Sequence, residues 1–459
     1  MKILKITLTL FILLCSFTPV YAARHKDTPD YRLEYLNLKW WENYEDPILN
    51  DYLVKAYQNN QDLKIAAINV KQAQQVAKQS LAQELPHLGI AGNYFRDFHS
   101  SDVRFGEVLI PNYNQSNFVL PLTMTYELDL WGENRLKTKS INKQVDMIKQ
   151  DERAAYIALT STLASTYYNL IKLDKLIKNQ TELVKLQKTV VTMTEKKYKN
   201  GLAPVTELMQ EKQLLTNFEE TLELYKDRYD IIEREMVVLL GDRTNNTVDH
   251  TDYNDIKLVS IPDNIAAEVI QFRPDMAKTE LYIQKTGFDV KAARRDFLPK
   301  ILLYGQVGFN AYQLSNIFTG NTFKSAAGFA PSLDLFSGGA KMAHFRYNKL
   351  ELEKAQQMYE KTILTSLQEV NNSLGIAHTN QKNYKSSLER YNLEKDKYNF
   401  SARKLEIGAQ SVLDNIRDRE RVLVTEKDEV SNKIDYIIAT INVYKAIGGK
   451  DYNSIKELL

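Results

Sequence analysis

Two stretches of alternating apolar and polar residues, each followed by a long helical pattern, divide this chain into halves. In the first, Phe118, Leu120, Leu122, Met124, Tyr126, Leu128 and Leu130 fall on one parity, and Asn117, Thr123, Thr125, Glu127 and Asp129 on the other. This is the pattern of a strand with one apolar and one wet face. In the second, Phe323, Ala327, Phe329, Leu333 and Leu335 oppose Lys324, Ser332 and Asp334. Each ends in Leu-Asp-Leu-aromatic, at Trp131 or Phe336, with Gly132 or Gly338 just beyond, so the strands are expected to reach those aromatics. A weaker alternation precedes each copy, at Leu88 to Phe98 and at Ile301 to Tyr312, where Leu303, Val307 and Phe309 share a side. Each half therefore predicts a β-hairpin, about 88–131 and 301–336, with connecting loops at about 99–116 and 313–322.

The period then changes. Between Gly132 and Gly201 there is neither proline nor glycine, and Leu159, Leu163, Tyr167, Leu170, Leu173 and Ile177 mark one face. At 1.5 Å per residue such a helix is about 100 Å long, which suits a coiled coil or an α-barrel rather than an ordinary core. Asn200-Gly201-Leu202-Ala203-Pro204 breaks it, and Phe218, Leu222, Tyr225, Tyr229, Ile232, Met236 and Leu239 return in steps of four and three. That spacing is a heptad seam, packed antiparallel on the outgoing helix. The second half repeats the arrangement: Gly338-Gly339 opens a helix through Ala355, Tyr359, Ile363, Leu367, Val370 and Leu374, interrupted only by Gly375 before Gly408. Val430, Ile434, Ile437, Ile441 and Tyr444 come back. Gly132 to Gly201 and Gly339 to Gly408 are equal separations, so both hairpins reach the same depth. A helix also precedes each β-hairpin. One starts at Pro47 and ends before Leu85-Pro86, with Asn60 and Gln74 in its seam; the other runs from Arg273-Pro274-Asp275 to Phe297.

The N-terminus carries Lys2 and Lys5, an apolar run from Ile6 to Leu14, and Val20-Tyr21-Ala22 as a small-residue cleavage site: a secretory signal. Cys15 permits a lipoprotein reading, but Leu14 stands where such signals place Gly, Ala or Ser, so cleavage after Ala22 is expected and the mature chain then lacks cysteine. The expected organisation is signal peptide 1–22, an N-terminal segment 23–46, a first repeat 47–241 (helical hairpin about 133–241), a polar linker 242–271, a second repeat 272–449 (helical hairpin about 338–447) and a tail 450–459.

A formal net charge of +2, with 26% charged residues of both signs, supplies no basic stripe for nucleic acid. His25, His87, His99, His250, His344 and His378 are scattered, with no metal-ligand spacing, and no nucleophile-elbow, P-loop or dinucleotide glycine motif occurs. No enzyme, metal or cofactor is expected. Nor is there a run of about 18 apolar residues for a transmembrane helix. Four strands of ten to fourteen residues suit an outer-membrane barrel wall, yet a barrel needs at least eight strands and four leave two open edges that lipid does not tolerate. The chain must share a barrel among copies; 8, 12 or 16 strands, from two, three or four chains, remain open on this ground. A coiled-coil structural protein without a pore explains the heptads but not the four amphipathic strands. Tyr94, Tyr126 and Tyr304 are candidates for an interfacial girdle.

Trp40-Trp41 with Asp46-Pro47, Leu128-Asp129-Leu130-Trp131-Gly132, Arg273-Pro274-Asp275, Leu333-Asp334-Leu335-Phe336 with Gly338, Gln368-Glu369-Val370 and Tyr444-Lys445-Ala446-Ile447-Gly448-Gly449, in this order, resemble the outer membrane factor family, the TolC and OprM type channels of Gram-negative bacteria. The resemblance covers nearly all of the mature chain. It implies a mixed α and β membrane protein, a homotrimer with a 12-stranded barrel in the outer membrane continuous with a 12-helix periplasmic tunnel. It also implies partners: a periplasmic adaptor and, through it, an inner-membrane pump, for small-molecule efflux or, as the alternative, protein secretion. Phe118, Leu120, Leu122, Met124 and Tyr126 are then the lipid-facing set. Gly201, Leu202, Val205, Gly408, Ala409, Ser411 and Val412 would form adaptor-docking tips at the periplasmic end. Thr206, Glu207, Asp414 and Arg417 match positions lining the constriction of the family, and Asp414 and Arg417, three apart on a helix, are placed to pair. Leu405 and Gln410 depart from the Tyr and Arg that lock TolC-like members, so the closing network is expected to differ and Glu207 to lack its partner.

Overall fold

The computed structural model of the protein describes residues 40–99, 103–105, 108–110, 113–242, 248–261, 265 and 267–448. The signal sequence with Cys15, residues 23–39, much of the first hairpin loop, Asn245-Asn246, Pro262, Gly449 and the tail 450–459 lie outside the described residues.

A short 3-10 turn, Trp40–Tyr44, leads into α1 (Pro47–Asn59) and α2 (Gln61–Ala82). Asp46 caps α1 by accepting from the backbone of Ile48 and Leu49, and Pro47 fills the first helical position, where no N–H is needed. The sequence pattern predicts one helix from Pro47 to about residue 84; the structure breaks it at Asn60. That residue leaves the helical region, accepts from the N–H groups of Asp62 and Leu63, and donates Nδ2 to the carbonyl of Leu239 at 3.0 Å. Its place in the seam thus marks a joint.

β1 (His87–Ile90) and β2 (Asn93–His99) both pair with β5 (Tyr113–Leu128), while β3 (Val103–Phe105) and β4 (Val108–Ile110) form a separate ribbon. The expected strand at 88–98 is therefore interrupted, opposite Pro121, which has no N–H to give to a ladder. α3 (Glu133–Lys199) and α4 (Val205–Leu240) complete the first half. The second half follows with α5 (Pro274–Arg295), β6 (Lys300–Ala311), β7 (Phe323–Ser332), α6 (Ala340–Glu406) and α7 (Val412–Ala446). α3 and α6 each have 67 residues, and Gly375 lies inside α6 without interrupting it.

β5 and β7 stop at Leu128 and Ser332, short of Trp131 and Phe336. The first Leu-Asp-Leu-aromatic copy is instead the turn from strand to helix. Asp129 accepts from the backbone N–H of Asn134 and Arg135 (3.3 and 3.0 Å), satisfying donors that a helix start leaves free. Trp131 Nε1 donates to the carbonyl of Pro299 at 2.6 Å, and Gly132 takes φ +72°.

All strand pairs are antiparallel, in the order β1/β2, β5, β6, β7, so the hairpins of the two halves join side by side through β5 and β6. At the far end of the molecule α3, α4, α6 and α7 run together. α3 glutamines reach carbonyls on α4, Gln180 to Phe218 and Gln187 to Glu211, one heptad apart, which fixes an antiparallel register.

Between these ends lies the apolar core. Leu159, Leu163, Tyr167 and Leu170 of α3 and Val430, Ile434, Ile437 and Ile441 of α7 are buried together with Trp40 and Leu53. The segment 242–271 is more than a polar linker, because Val248, Tyr253 and Val269 enter this core. Tyr253 donates to Glu429 (2.8 Å) while Lys433, its pKa lowered by burial, donates to the Tyr253 carbonyl (3.2 Å). The helix joints sit at the same level. Arg273 donates to the last-turn carbonyl of Ala446 at 2.6 Å and to Glu369 at 2.6 Å, so the C-terminus of α7 meets the N-terminus of α5 through three of the sequence motifs at once. A Cβ on Gly241 would stand 2.5 Å from the Asn59 carbonyl, so only glycine lets α4 end against the α1–α2 joint.

Candidate functional site

The sheet is the first candidate surface. Residues paired directly across an antiparallel ladder share a face. Register therefore extends the even parity of β5 across the sheet: Leu88 and Ile90 pair with Met124 and Leu122, and Tyr94 with Phe118. On the other side Leu120, Leu122 and Tyr126 pair with Phe309, Val307 and Leu303, and these β6 residues with Phe323, Ser325 and Phe329. One face is thus apolar from β1 and β2 across to β7, Ser325 apart, and contains Phe118, Leu120, Leu122, Met124 and Tyr126 as expected. The opposite face carries Thr123, Thr125, Glu127, Gln306, Asn310, Lys324 and Ser332.

Aromatic rows bound the apolar face. Tyr94 and Phe118 (ring centroids 4.8 Å apart) and Phe309 and Phe323 (5.8 Å) lie at the loop end, and Tyr126 and Phe329 at the helix end. Eight residues separate Phe118 from Tyr126, about 27 Å along the strand. Tyr304, the third girdle candidate, is on the polar face, where its ring covers Gly328; a Cβ there would meet the Tyr304 hydroxyl at 2.5 Å. Odd and even numbering on β6 decides this, and the presence of tyrosine alone did not reveal it. Where sheet turns to helix, Lys300 faces Glu133 (3.3 Å) and Asp296 (3.2 Å), and Lys341 faces Asp334 (3.2 Å). Of these, the Lys300–Glu133 pair joins the two halves at the rim.

The helical tips are the second candidate. Both end the outgoing helix in the same way: Gly201 (φ +70°) and Gly408 (φ +73°) donate to Tyr198 and Leu405, and the next residues, Leu202 and Ala409, reach back to Lys197 and Lys404, each at 2.8 Å. This six-to-one bond with a left-handed glycine is the Schellman arrangement. The return helices start differently. Ser411 accepts from the N–H of Asp414 (3.1 Å), whereas Pro204 offers no side-chain cap. Leu202, Val205, Ile407 and Val412 stand exposed around the tips, Leu202 by 76% and Ile407 by 79%. Nothing lies within 4 Å of a Cβ built on either tip glycine.

Of the constriction candidates, Thr206 and Glu207 lie in the first turn of α4, Thr206 exposed and Glu207 partly covered. The expected Asp414–Arg417 pair does not form. Asp414 is held by the Ser411 hydroxyl (2.7 Å), which draws it to the cap and away from the face of Arg417. Arg417 turns inward, pairing with Glu211 of α4, with Glu420 (3.0 Å) and with the side-chain oxygen of Gln187 on α3 (3.3 Å). Gln187 also donates to Glu211 at 2.7 Å. One guanidinium thereby ties three helices and both hairpins. Burial pushes the Glu420 carboxyl up, with Arg417 opposing this, and its Oε1 is buried without a hydrogen-bond partner. Arg419 adds a two-pronged pair to Glu182 at 2.9 and 3.0 Å, and Gln410 donates to Asp418 at 2.8 Å. The sequence reading missed Gln187, Glu211 and Glu420. Gln187 could have been found, because it continues the four-and-three spacing of Leu183, Val190 and Thr194 as a glutamine in a core position.

A family model described as outer membrane efflux protein matches residues 52–242 and 266–449. The chain belongs to that family. It is a family of channels rather than of enzymes, seated in the outer membrane of Gram-negative bacteria with a large helical part in the periplasm. Among curated outer membrane efflux proteins, the probable efflux pump outer membrane protein TtgC of Pseudomonas putida is 24% identical, over 98% of this chain and 96% of the relative. The solvent efflux pump outer membrane protein SrpC of the same species is 26% identical, over 89% and 86%. Among solved structures, the CmeC outer membrane channel of Campylobacter jejuni superposes with a TM-score of 0.81 at 23% identity, covering 92% of this chain and 91% of that one.

Proposed function

We propose that this outer membrane efflux protein is the exit duct of a tripartite pump: a homotrimer whose twelve strands close one barrel and whose helices form a periplasmic tunnel. The carrying observation is the sheet, one chain-wide wall with an apolar and a polar face and with β1/β2 and β7 unpaired at its edges. Neighbouring copies would pair those edges, putting the apolar face in lipid and Thr123, Thr125 and Glu127 toward water. Exposed heptad positions on the outer helices support the same closure: Leu224, Ile231 and Val238 on α4, and Leu393 and Phe400 on α6, with Ile407 at its C-cap.

In this reading the tips around Gly201, Leu202, Val205, Gly408, Ala409, Ser411 and Val412 receive the adaptor. Arg417 with Glu211, Glu420 and Gln187 holds the periplasmic mouth, while Thr206, Glu207 and Asp414 face it. The cargo is a small molecule. The cargoes in the names of relatives, toluene, solvent and pyoverdine, support this over protein secretion. The test joins two measurements: heat-modifiable trimers from the outer membrane fraction, with conductance in planar bilayers, and solvent tolerance of a deletion strain restored by the gene. A soluble monomeric rod without conductance overturns the channel, and export of a protein without any change in solvent tolerance overturns the cargo.

A further inference from the structure

We infer that the β6–β7 loop, residues 312–322, is an outer-leaflet anchor that inserts Phe318 among lipid acyl chains beyond the strand wall. The inference rests on the apolar sheet face being the membrane side. That face runs from Phe118 to Leu128, which pairs with Ile301 and through it with Pro331; this is about 34 Å along β5, and strands of such barrels tilt by about 35–45°, so its height of roughly 26 Å matches an apolar band of about 25 Å that ends at the Phe118 row. The loop stands at the end of the sheet away from the helices, next to the row of Phe309 and Phe323 and so at the outer edge of that band.

Its conformation aims the right groups outward. Phe318 packs edge-on against Phe309 (5.4 Å, 77°), and Phe309 packs on Phe323, so the loop folds toward the apolar face rather than over the polar one. Phe318 nevertheless remains 73% exposed, and Leu314 of the same loop is exposed as well. Two 3-10 turns, Leu314–Asn316 and Gly320–Thr322, hold the shape. The Thr322 hydroxyl donates within the loop, to the carbonyls of Ile317 and Thr319, each at 2.7 Å. An aromatic held out by a preformed turn loses little entropy on insertion. No Asp, Glu, Lys or Arg occurs from Ile301 through Phe323, so the loop brings no charge for the phosphates of the outer leaflet and none that the acyl region would reject. The chemistry fits acyl chains at the boundary with the headgroups, where aromatic rings gather.

The experiment places a nitroxide on Phe318→Cys in the full-length protein reconstituted in lipid, with Leu120→Cys as reference, and compares collision with oxygen and with a water-soluble nickel complex. The expected result is oxygen above nickel at both sites. High nickel access at residue 318 with a lipid-like Leu120 places the loop in water and overturns the anchor. An immobile label at 318, shielded from both reagents, means that a neighbouring subunit covers it and equally overturns the anchor. A water-exposed Leu120 label shows instead that the sheet face is not the membrane side, which is the failure of the underlying reading.

Discussion

α3 and α6 are equally long and occupy equivalent places in the duplication, yet α3 is buried along most of its length whereas α6 buries only Asn348, Ala355, Ser366, Val370, Ala377, Ser387 and Ser401. All seven are small or of modest size. The bulky apolar residues of α6, such as Leu364, Leu393 and Phe400, point away from the chain. α3 is the inner column, flanked by α2, α4, α5 and α7, while α6 stands at the margin with one side covered by α5 and α7. Repetition gives the two helices the same length and caps. Position in the assembly decides which residues each must hide, and the uncovered side of α6 is what a second chain would cover.

The sharpest way to break this contrast is a charge on each helix. Leu163→Asp in α3 should prevent folding, because that side chain is wholly buried and an unpaired buried charge is far more costly than the roughly 1.5–3 kcal/mol a leucine gains by burial. Leu393→Asp with Phe400→Asp in α6 should instead give a helical monomer, read by circular dichroism and sedimentation. A stable trimer from the double variant would place the interface elsewhere. The sheet offers the same contrast between faces. Leu122→Arg should lower assembly into the outer membrane sharply and Thr123→Arg much less, since a cation at mid-bilayer costs about 2–4 kcal/mol; equal yields at the two positions count against the lipid face.

Smaller effects belong to the tips. Gly201→Trp and Gly408→Trp should leave trimers on a gel while solvent tolerance is lost, because the side chain enters open space and only the left-handed backbone resists it, by roughly 1–2 kcal/mol. Tolerance retained in both variants removes the tips as the docking surface. Arg417→Ala should raise the open fraction of single channels, as it removes charge-assisted bonds worth about 1.5–3 kcal/mol each, whereas Asp414→Ala, which loses a bond to Ser411 alone, should change it little. The smallest effect is pH dependence. The carboxyl of Glu420 is raised where it is packed, so the packed tip takes up a proton before an exposed glutamate does. By linkage, protonation in the window just above the ordinary carboxylate range favours the packed state, and that contribution is lost as pH rises. Mild acid should reduce channel opening, and Glu420→Gln should flatten the profile.

Much of the architecture was legible because period encodes it: the heptad returns, the equal spacing of the tip glycines and the single parity of Phe118 to Tyr126 all survive in the folded chain. The joints were not, since they depend on residues far apart in sequence. Asn60 reads as a polar seam residue until the Leu239 carbonyl is beside it. Arg273, Glu369 and Ala446 belong to three separate motifs that only packing unites. The tip network was half legible. Asp414 and Arg417 have helical spacing for a pair, but Ser411 is a nearer partner for the first and Glu211 a better buried one for the second.

Trp40 stacks on Tyr444, centroids 5.1 Å apart and 13° from parallel, so the two ends of the described chain close on each other. Trp41 and Tyr44 pack edge-on against Trp40 from the start, but a chain exported N-terminus first delivers Trp40 to the periplasm roughly four hundred residues before Tyr444, the ring it stacks on. An early arrival thus completes its packing among the last, and an export that stalls before α7 leaves the stacking face of Trp40 open to whatever binds exposed aromatics.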